Sequence, residues 1–174
     1  VYNGRITYFF DEFVPLPVDS STVDDVLADS SNYSLFNGAL RFLELGDLTD
    51  VTYLAVPNNI FDDAYDDAGI VASVDSLGTA DFDAAVMEEI LNAHIITDVF
   101  FDVDLAAGVE FTDRNGNMVD IVSLTVQDGD GNDVASFGIL QNDDGEITTV
   151  GFDLNNLNNL GSNGVYHAIT GLLE

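Results

Sequence analysis

The sequence predicts a single α+β domain, with helices in its first half and antiparallel strands mainly in its C-terminal half. Between residues 21 and 92 the apolar residues recur at helical spacing, whereas after residue 94 short apolar runs alternate with Asn-Gly and Asp-Gly turns. Helices followed by strands in this order are typical of α+β proteins. The chain has 174 residues, of which 47% are hydrophobic, and can bury a core without disulfides or structural metals.

The N-terminal segment is predicted to stand apart from the domain. Residues 5–10 read RITYFF, a β-branched and aromatic run that favours a strand, and the prolines that follow favour an extended connection. We therefore expect residues 1–18 to form a strand or linker of unknown role, and residues 19–174 to form the folded domain.

Two short helices are predicted next. Ser21 is followed three residues later by Asp24, as in a capping box, so a helix is expected to begin there. Residues 33–45 carry apolar side chains at helical spacing, and Gly46 is expected to be the C-terminal cap of this second helix.

A buried strand is predicted to turn sharply into a third helix. Residues 53–56 are all apolar, as in a strand covered on both faces, and Pro57 ends its ability to donate to a sheet. Asn58 or Asn59 is expected to cap the helix that follows. A further helix is predicted from Asp81 to about Asn92. Its expected apolar face consists of Phe82, Val86, Met87, Ile90 and Leu91.

The remaining sequence predicts strands joined by tight turns. Asn115-Gly116 lies between apolar stretches, which is the strongest short signal for a β-hairpin. Asp-Gly turns follow at residues 128–131 and 144–145, and residues 164–173 predict a last strand.

The charge of the chain excludes some classes of partner. It has three arginines, no lysine and 32 acidic residues, which give a formal net charge of -29. Nucleic acids are excluded because a protein needs Lys and Arg to displace phosphate counterions, and anionic membrane surfaces are disfavoured for the same reason. No apolar run approaches the roughly 20 residues that span a bilayer, so direct membrane insertion is not expected. A lysine-free, aspartate-rich surface favours a saline extracellular setting, where salt screens self-repulsion.

Four ordered motifs resemble those of the fasciclin-type (FAS1) domain. The first is the apolar strand running into Pro57-Asn58-Asn59-Ile60-Phe61, and the second is Leu91-Asn92-Ala93-His94-Ile95-Ile96. The third is the Asn115-Gly116 hairpin, and the fourth is Asn163-Gly164-Val165-Tyr166-His167, which continues apolar to Leu173. The resemblance covers about residues 22–173.

This resemblance implies a wedge-shaped β-sandwich with helices packed along it, in a secreted or cell-surface protein that mediates adhesion without catalysing a reaction. The expected partner is a surface or matrix protein or a polysaccharide, and further domains are expected in the full-length chain. The second motif implies binding residues at His94, Ile95 and Ile96. Animal-type integrin binding is not expected, because Ala93 replaces a tyrosine and Asn158-Asn159 replace an acidic-apolar pair.

The alternative function is a calcium- or salt-dependent module that binds a polysaccharide or another ligand. Asp128, Asp130 and Asp133 alternate as in calcium loops, but Ile139 stands where such a loop has its bidentate glutamate, so a simple hairpin turn competes. No cofactor apart from calcium is expected.

Other candidate sites also have two interpretations. His94 and His167 could titrate as a pH-sensitive pair, or could be core histidines bonded to the backbone. Asp98, Asp102 and Asp104 could hold a divalent ion or supply a general acid and base, or could lie in a solvated loop. The sequence contains no G-x-S-x-G, P-loop or dinucleotide motif, and an enzyme is not expected.

Overall fold

The computed structural model describes residues 21–61, 83–127, 133–143 and 146–173, and confirms an α+β architecture. The helices are α1 (Val23–Ala28), α2 (Ser34–Phe42) and α3 (Ala84–Ala93), with short 3-10 helices at Ser31–Tyr33 and Asp102–Asp104. The strands are β1 (Val51–Ala55), β2 (Ile95–Ile96), β3 (Glu110–Thr112), β4 (Met118–Gln127), β5 (Asp133–Asp143), β6 (Glu146–Gly151), β7 (Asn159–Gly161) and β8 (Gly164–Ala168). The predicted strand at residues 5–10, the body of the helix after Phe61 and the predicted turns at 128–131 and 144–145 lie outside the described residues.

The described strands form two four-stranded sheets. Sheet A has the order β2-β1-β8-β7 and sheet B has the order β3-β4-β5-β6. All pairs are antiparallel except β1 with β8, which are parallel, with Tyr53 opposite Tyr166 and Leu54 opposite His167. The last strand therefore leaves the C-terminal meander and pairs with the first strand. A parallel pair needs a long crossover between its strands, and most of the chain lies between β1 and β8.

Strand β1 is buried along its whole length, as predicted for residues 53–56, but it begins two residues earlier, includes Thr52 and ends at Ala55. All five residues are buried, and β1 has a hydrogen-bonded neighbour on each side. Side chains from both sheets and all three helices join one hydrophobic core. Within the described ranges, no helix is long and apolar enough to cross a membrane.

The start of α1 differs from the prediction by one residue. Thr22, not Ser21, is the N-cap: its hydroxyl accepts from the Asp25 N–H at 3.2 Å, and the Asp25 carboxylate accepts from the Thr22 N–H at 3.0 Å. The predicted capping box exists, with Asp25 in place of Asp24, because Thr and Asp are as suited to these positions as Ser and Asp.

The end of α2 also differs from the prediction. Helix α2 ends at Phe42, and the left-handed residue that follows is Glu44 (φ +57°), not Gly46. The Leu45 N–H donates to the Leu40 carbonyl at 2.8 Å and the Glu44 N–H donates to the Arg41 carbonyl at 3.2 Å, which is a Schellman motif. Glutamate thus occupies a conformation that normally favours glycine.

The β3–β4 hairpin is confirmed, and it is fixed to α3. Gly116 has φ +91°, and the Asp113 carboxylate accepts from the Asn117 N–H at 2.8 Å. The Asn115 side chain donates to the Glu89 carbonyl at 2.8 Å, and the Arg114 guanidinium donates to the Asn92 side chain at 2.9 Å. The hairpin tip therefore joins sheet B to the helix that precedes His94.

Helix α3 begins later than expected and turns one predicted core residue outward. Asp83 is its N-cap and accepts from the N–H groups of Ala85 and Val86. Met87 and Leu91 are buried as predicted, but Val86 is exposed, since it lies at the edge of the apolar face. Phe82 lies outside the described residues.

Candidate functional site

His94 is a core residue whose two ring nitrogens are both used. It is fully buried at the end of α3, with Nδ1 at 2.8 Å from the Ile90 carbonyl and Nε2 accepting from the Leu173 N–H at 3.0 Å. Because a carbonyl can only accept, the proton is on Nδ1 and the ring is neutral. Burial lowers the pKa of His94 from 6.5 to about 4, against the opposing effect of the bond to Ile90.

His167 carries the opposite tautomer. Its Nδ1 accepts from the Asn158 N–H at 3.1 Å, and its Nε2 donates to the Phe100 carbonyl at 3.0 Å. Burial lowers the pKa of His167, while the Phe100 hydrogen bond and the charge of Asp102 act in the opposite direction. The core interpretation of both histidines is confirmed, since each one joins two segments of backbone.

A stack of aromatic rings connects His167 in sheet A with Phe111 in sheet B. The His167 ring stacks on Phe100 with ring centroids 4.8 Å apart, and Phe100 stacks on Phe111 at 4.4 Å. Phe152 meets the His167 ring edge-on at 6.0 Å. Because Phe111 belongs to β3 and His167 to β8, these rings pack the two sheets together and fix the segment around Phe100.

Ile95 and Ile96 form β2, and both are fully buried. Ile95 and Ile96 belong to the hydrophobic core, and His94 is fully buried beside them. A partner could touch these side chains only if the surrounding structure opened. The sequence-based assignment of binding to His94, Ile95 and Ile96 stays a prediction.

Two asparagine side chains hydrogen-bond to distant backbone segments, and the sequence alone did not predict these contacts. Asn163 accepts from the Val23 N–H at 2.7 Å, and its amide donates to the carbonyls of Leu48 and Gly46 at 2.8 and 3.2 Å. One side chain thus caps the start of α1 and fixes the loop before β1. Asn163 belongs to the fourth motif, so the sequence marked it as a residue of interest. The sequence did not indicate which groups its side chain bonds.

Asn58 does the same for α2, and this corrects its predicted role. Its side-chain oxygen accepts from the Leu35 N–H at 3.0 Å, and its amide donates to the Ser31 carbonyl at 2.8 Å. Asn58 therefore caps the start of a neighbouring helix rather than its own. The first turn of its own helix begins with the Pro57 carbonyl, which accepts from the Phe61 N–H at 2.9 Å.

The aspartates of the 98–104 segment are exposed and shape local turns. Asp98 accepts from the Val99 N–H at 2.9 Å, and Asp104 accepts from the Phe101 N–H at 2.9 Å. The segment is held from below by Thr52, whose buried hydroxyl donates to the Asp98 carbonyl and accepts from the Phe100 N–H. This arrangement agrees with the solvated-loop interpretation of Asp98, Asp102 and Asp104.

The predicted calcium loop is described only at its end. Asp133 begins β5 and is exposed, while Asp128 and Asp130 lie outside the described residues. Among the described residues, no group of three or more His, Cys, Asp or Glu side chains could hold a metal ion. Calcium binding by this loop stays a prediction.

The segment above His167 carries an exposed apolar surface. Phe101, Val103 and Leu160 are exposed apolar residues on two neighbouring segments, which we call the apolar patch, and Val103 is 84% and Leu160 is 60% exposed. The Asn158 side chain accepts from the Asp102 N–H at 2.8 Å, so the two chain segments that carry the patch are in contact.

The pairing of β7 with β8 gives the direction of Leu160. Leu160 lies opposite Val165, and opposite residues of a pair share a face of the sheet, as do residues two apart in one strand. Leu160 is therefore on the same face as His167, which is where the 100–104 segment packs. Sequence reasoning missed this surface, because Val103 and Leu160 look like ordinary core residues in the sequence.

Comparison with known proteins gave no match, either to a protein-family model or to a curated protein.

Proposed function

We propose that this chain is a noncatalytic extracellular adhesion or protein-interaction module of the fasciclin type, secreted or displayed at a cell surface. The four ordered motifs and the acidic composition support this proposal. The observation that carries it is the apolar patch, in which large side chains stay exposed on a backbone held from beneath by hydrogen bonds and stacked rings. Exposed apolar side chains on a fixed backbone are common at protein interaction sites.

The charges around the patch favour a particular partner. Asp98, Asp102 and Asp104 are exposed and flank Val103 in the chain. Of the two arginines in the described residues, Arg41 pairs with Asp24 at 2.7 Å and Arg114 bonds Asn92, and neither lies on the patch segments. The fitting partner is a surface with apolar side chains flanked by Lys or Arg, because opposite charges guide and orient association. A second copy of this acidic chain is a poor fit.

The test is retention of the protein on surfaces coated with individual matrix proteins or polysaccharides. The double variant Val103→Ser with Leu160→Ser keeps the net charge and should lower binding at least about tenfold, since buried anchor side chains carry most interface energy. Met118→Ser is the matched control. Met118 is 55% exposed and is not part of the apolar patch. Because side chains alternate along a strand, it lies on the face of sheet B opposite to the buried Val119 and Ile121.

Two results would contradict the proposal. One is that no coated surface retains the wild-type protein more than an unrelated protein of similar negative charge. The other is that the double variant and the Met118→Ser control bind equally well, which would show that the patch contributes nothing. Thermal melting of each variant separates lost binding from lost folding.

A further inference from the structure

A polar pocket lies where the start of α2, the Pro57 turn and the turn before β7 meet. Its volume is about 330 Å³, within the range of roughly 300–1,000 Å³ for small-molecule sites. Its lining includes Asn32, Tyr33, Pro57, Asn59, Asp153 and Asn156. None of them belongs to the apolar patch.

Tyr33 has a buried ring and a hydroxyl that bonds no described part of the chain. The side chain is only 5% exposed and its ring packs edge-on against Tyr166 with centroids 5.9 Å apart. Within the described part of the chain the Tyr33 hydroxyl makes no hydrogen bond to protein, and it is not one of the buried side-chain atoms that lack a partner, so solvent reaches it from the pocket. Burial, Tyr166 and the Asp153 charge raise the pKa of Tyr33, so the hydroxyl keeps its proton and can donate.

The rest of the pocket supplies neutral donors and acceptors around this hydroxyl. Asn32 and Asn59 are exposed, and their side-chain amides make no hydrogen bond to any part of the chain that the structure describes. Asn156 donates to the Asp153 carboxylate at 2.6 Å, which leaves its own side-chain oxygen available as an acceptor. Asn58, which caps α2, donates to the Ser31 carbonyl at 2.8 Å. This bond fixes the position of the neighbouring Asn59 relative to the segment that carries Asn32.

We infer that this pocket binds a neutral sugar unit. Amides and a phenol provide both donors and acceptors, which is what a ring of hydroxyl groups requires. The Pro57 ring offers an apolar surface, and small-ligand sites combine such a surface with a few fixed polar groups. The single carboxylate Asp153, on a chain of net charge -29, repels phosphates and carboxylates, and one carboxylate is too few for a calcium site. This site goes beyond the proposed adhesion function and does not depend on it.

The test is an NMR titration of ¹⁵N-labelled protein with glucose, galactose, mannose, N-acetylglucosamine and their disaccharides at millimolar concentration. The protein should be made in a bacterial host, because Asn32-Tyr33-Ser34 is a glycosylation sequon and an attached glycan would fill the pocket. At least one sugar should shift the side-chain amide signals of Asn32 and Asn59 in a saturable manner.

Three variants assign the binding to the pocket. Tyr33→Phe removes only the hydroxyl and should weaken sugar binding at least about fivefold, and Asn59→Ala should do the same. Tyr53→Phe is the control: the Tyr53 hydroxyl donates to the Leu45 carbonyl at 2.8 Å, and its removal should leave sugar affinity unchanged. Without sugar, Tyr33→Phe should melt close to wild type, because it removes a solvent-accessible hydroxyl that bonds no described part of the chain.

The inference is overturned if no sugar shifts these amides while the protein is folded, or if Tyr33→Phe and Asn59→Ala leave sugar affinity unchanged. It is also overturned if tetramethylammonium binds and no sugar does, since the pocket would then recognise a cation. The apolar-patch variants should bind sugar normally, so failure of the adhesion proposal and failure of this one are distinguishable.

Discussion

Acidification should destabilise the folded chain through His94. The pKa of this histidine is about 4 in the folded state, against 6.5 for an unperturbed ring. Between these two values the unfolded chain binds the proton and the folded chain does not, so the free energy of unfolding falls as the pH falls from 6.5 to 4. The full loss is about 3 kcal/mol, of which about 2 kcal/mol is lost by pH 5.

The structural reason is the pair of backbone bonds at the ring. Nε2 accepts from the Leu173 N–H, and a proton on that nitrogen would set two donors against each other. The Leu173 N–H is buried, so it would lose its acceptor where water cannot replace it. Protonation therefore requires the C-terminal segment to move away from α3.

The assay is denaturant unfolding of wild type and His94→Gln from pH 8 to pH 5. The carboxylates and His167 titrate in both proteins, so the difference in free energy of unfolding between them isolates His94. The variant should be less stable at pH 8, and the difference should shrink by about 2 kcal/mol at pH 5 because only the wild type loses the His94 contribution. A difference that stays constant over this range would refute the argument.

Four further outcomes are expected. Long-range ¹H–¹⁵N spectra at pH 7 should show the proton on Nδ1 of His94 and on Nε2 of His167, and a charged ring at either position would contradict the hydrogen-bond assignment. Glu44→Gly should raise the free energy of unfolding by about 1 kcal/mol by relieving a left-handed φ, with Glu44→Gln showing how much is only charge. Asn163→Ala should lower it by about 2–4 kcal/mol because three hydrogen bonds are lost, whereas the exposed Asn155→Ala should change it by less than about 0.5 kcal/mol. Calcium and NaCl at matched ionic strength should raise the melting temperature equally, and a saturable, calcium-specific gain would instead favour the calcium-dependent alternative.

Periodicity predicted the elements well where one face of a segment is buried. Residues 53–56 read as an unbroken apolar run and are buried throughout, and the Asn115-Gly116 turn forms the predicted hairpin. Patterns of this kind depend on local sequence, so one sequence is enough to read them. The boundaries were less accurate: α2 ends at Phe42, and Glu44 takes the position expected for Gly46.

Contacts between distant segments could not be read from the sequence. The parallel pairing of β1 with β8 joins residues more than 100 positions apart, and no local pattern distinguishes it from continuation of the meander. The role of Asn58 shows the same limit. A Pro-Asn-Asn turn before a helix predicts a local cap, yet the Asn58 side chain caps α2 because that helix packs beside the turn.

Polar residues from three of the four motifs bond to the backbone of the chain itself. Asn58, His94, Asn163 and His167 direct side-chain nitrogen or oxygen atoms at backbone groups of other segments. A residue engaged in this way cannot be replaced without leaving a buried donor or acceptor unpaired, and its identity is therefore set by the architecture.

Side chains that are free to meet a partner lie outside these constraints. Val103 and Leu160 are largely exposed, so substituting them should change the free energy of unfolding little, as at most surface positions. Proteins of one architecture can therefore bind different partners, because function resides in sites that the fold merely supports. The apolar patch and the Tyr33 pocket are therefore the places to look for a partner, because several side chains there are not fixed by contacts within the fold.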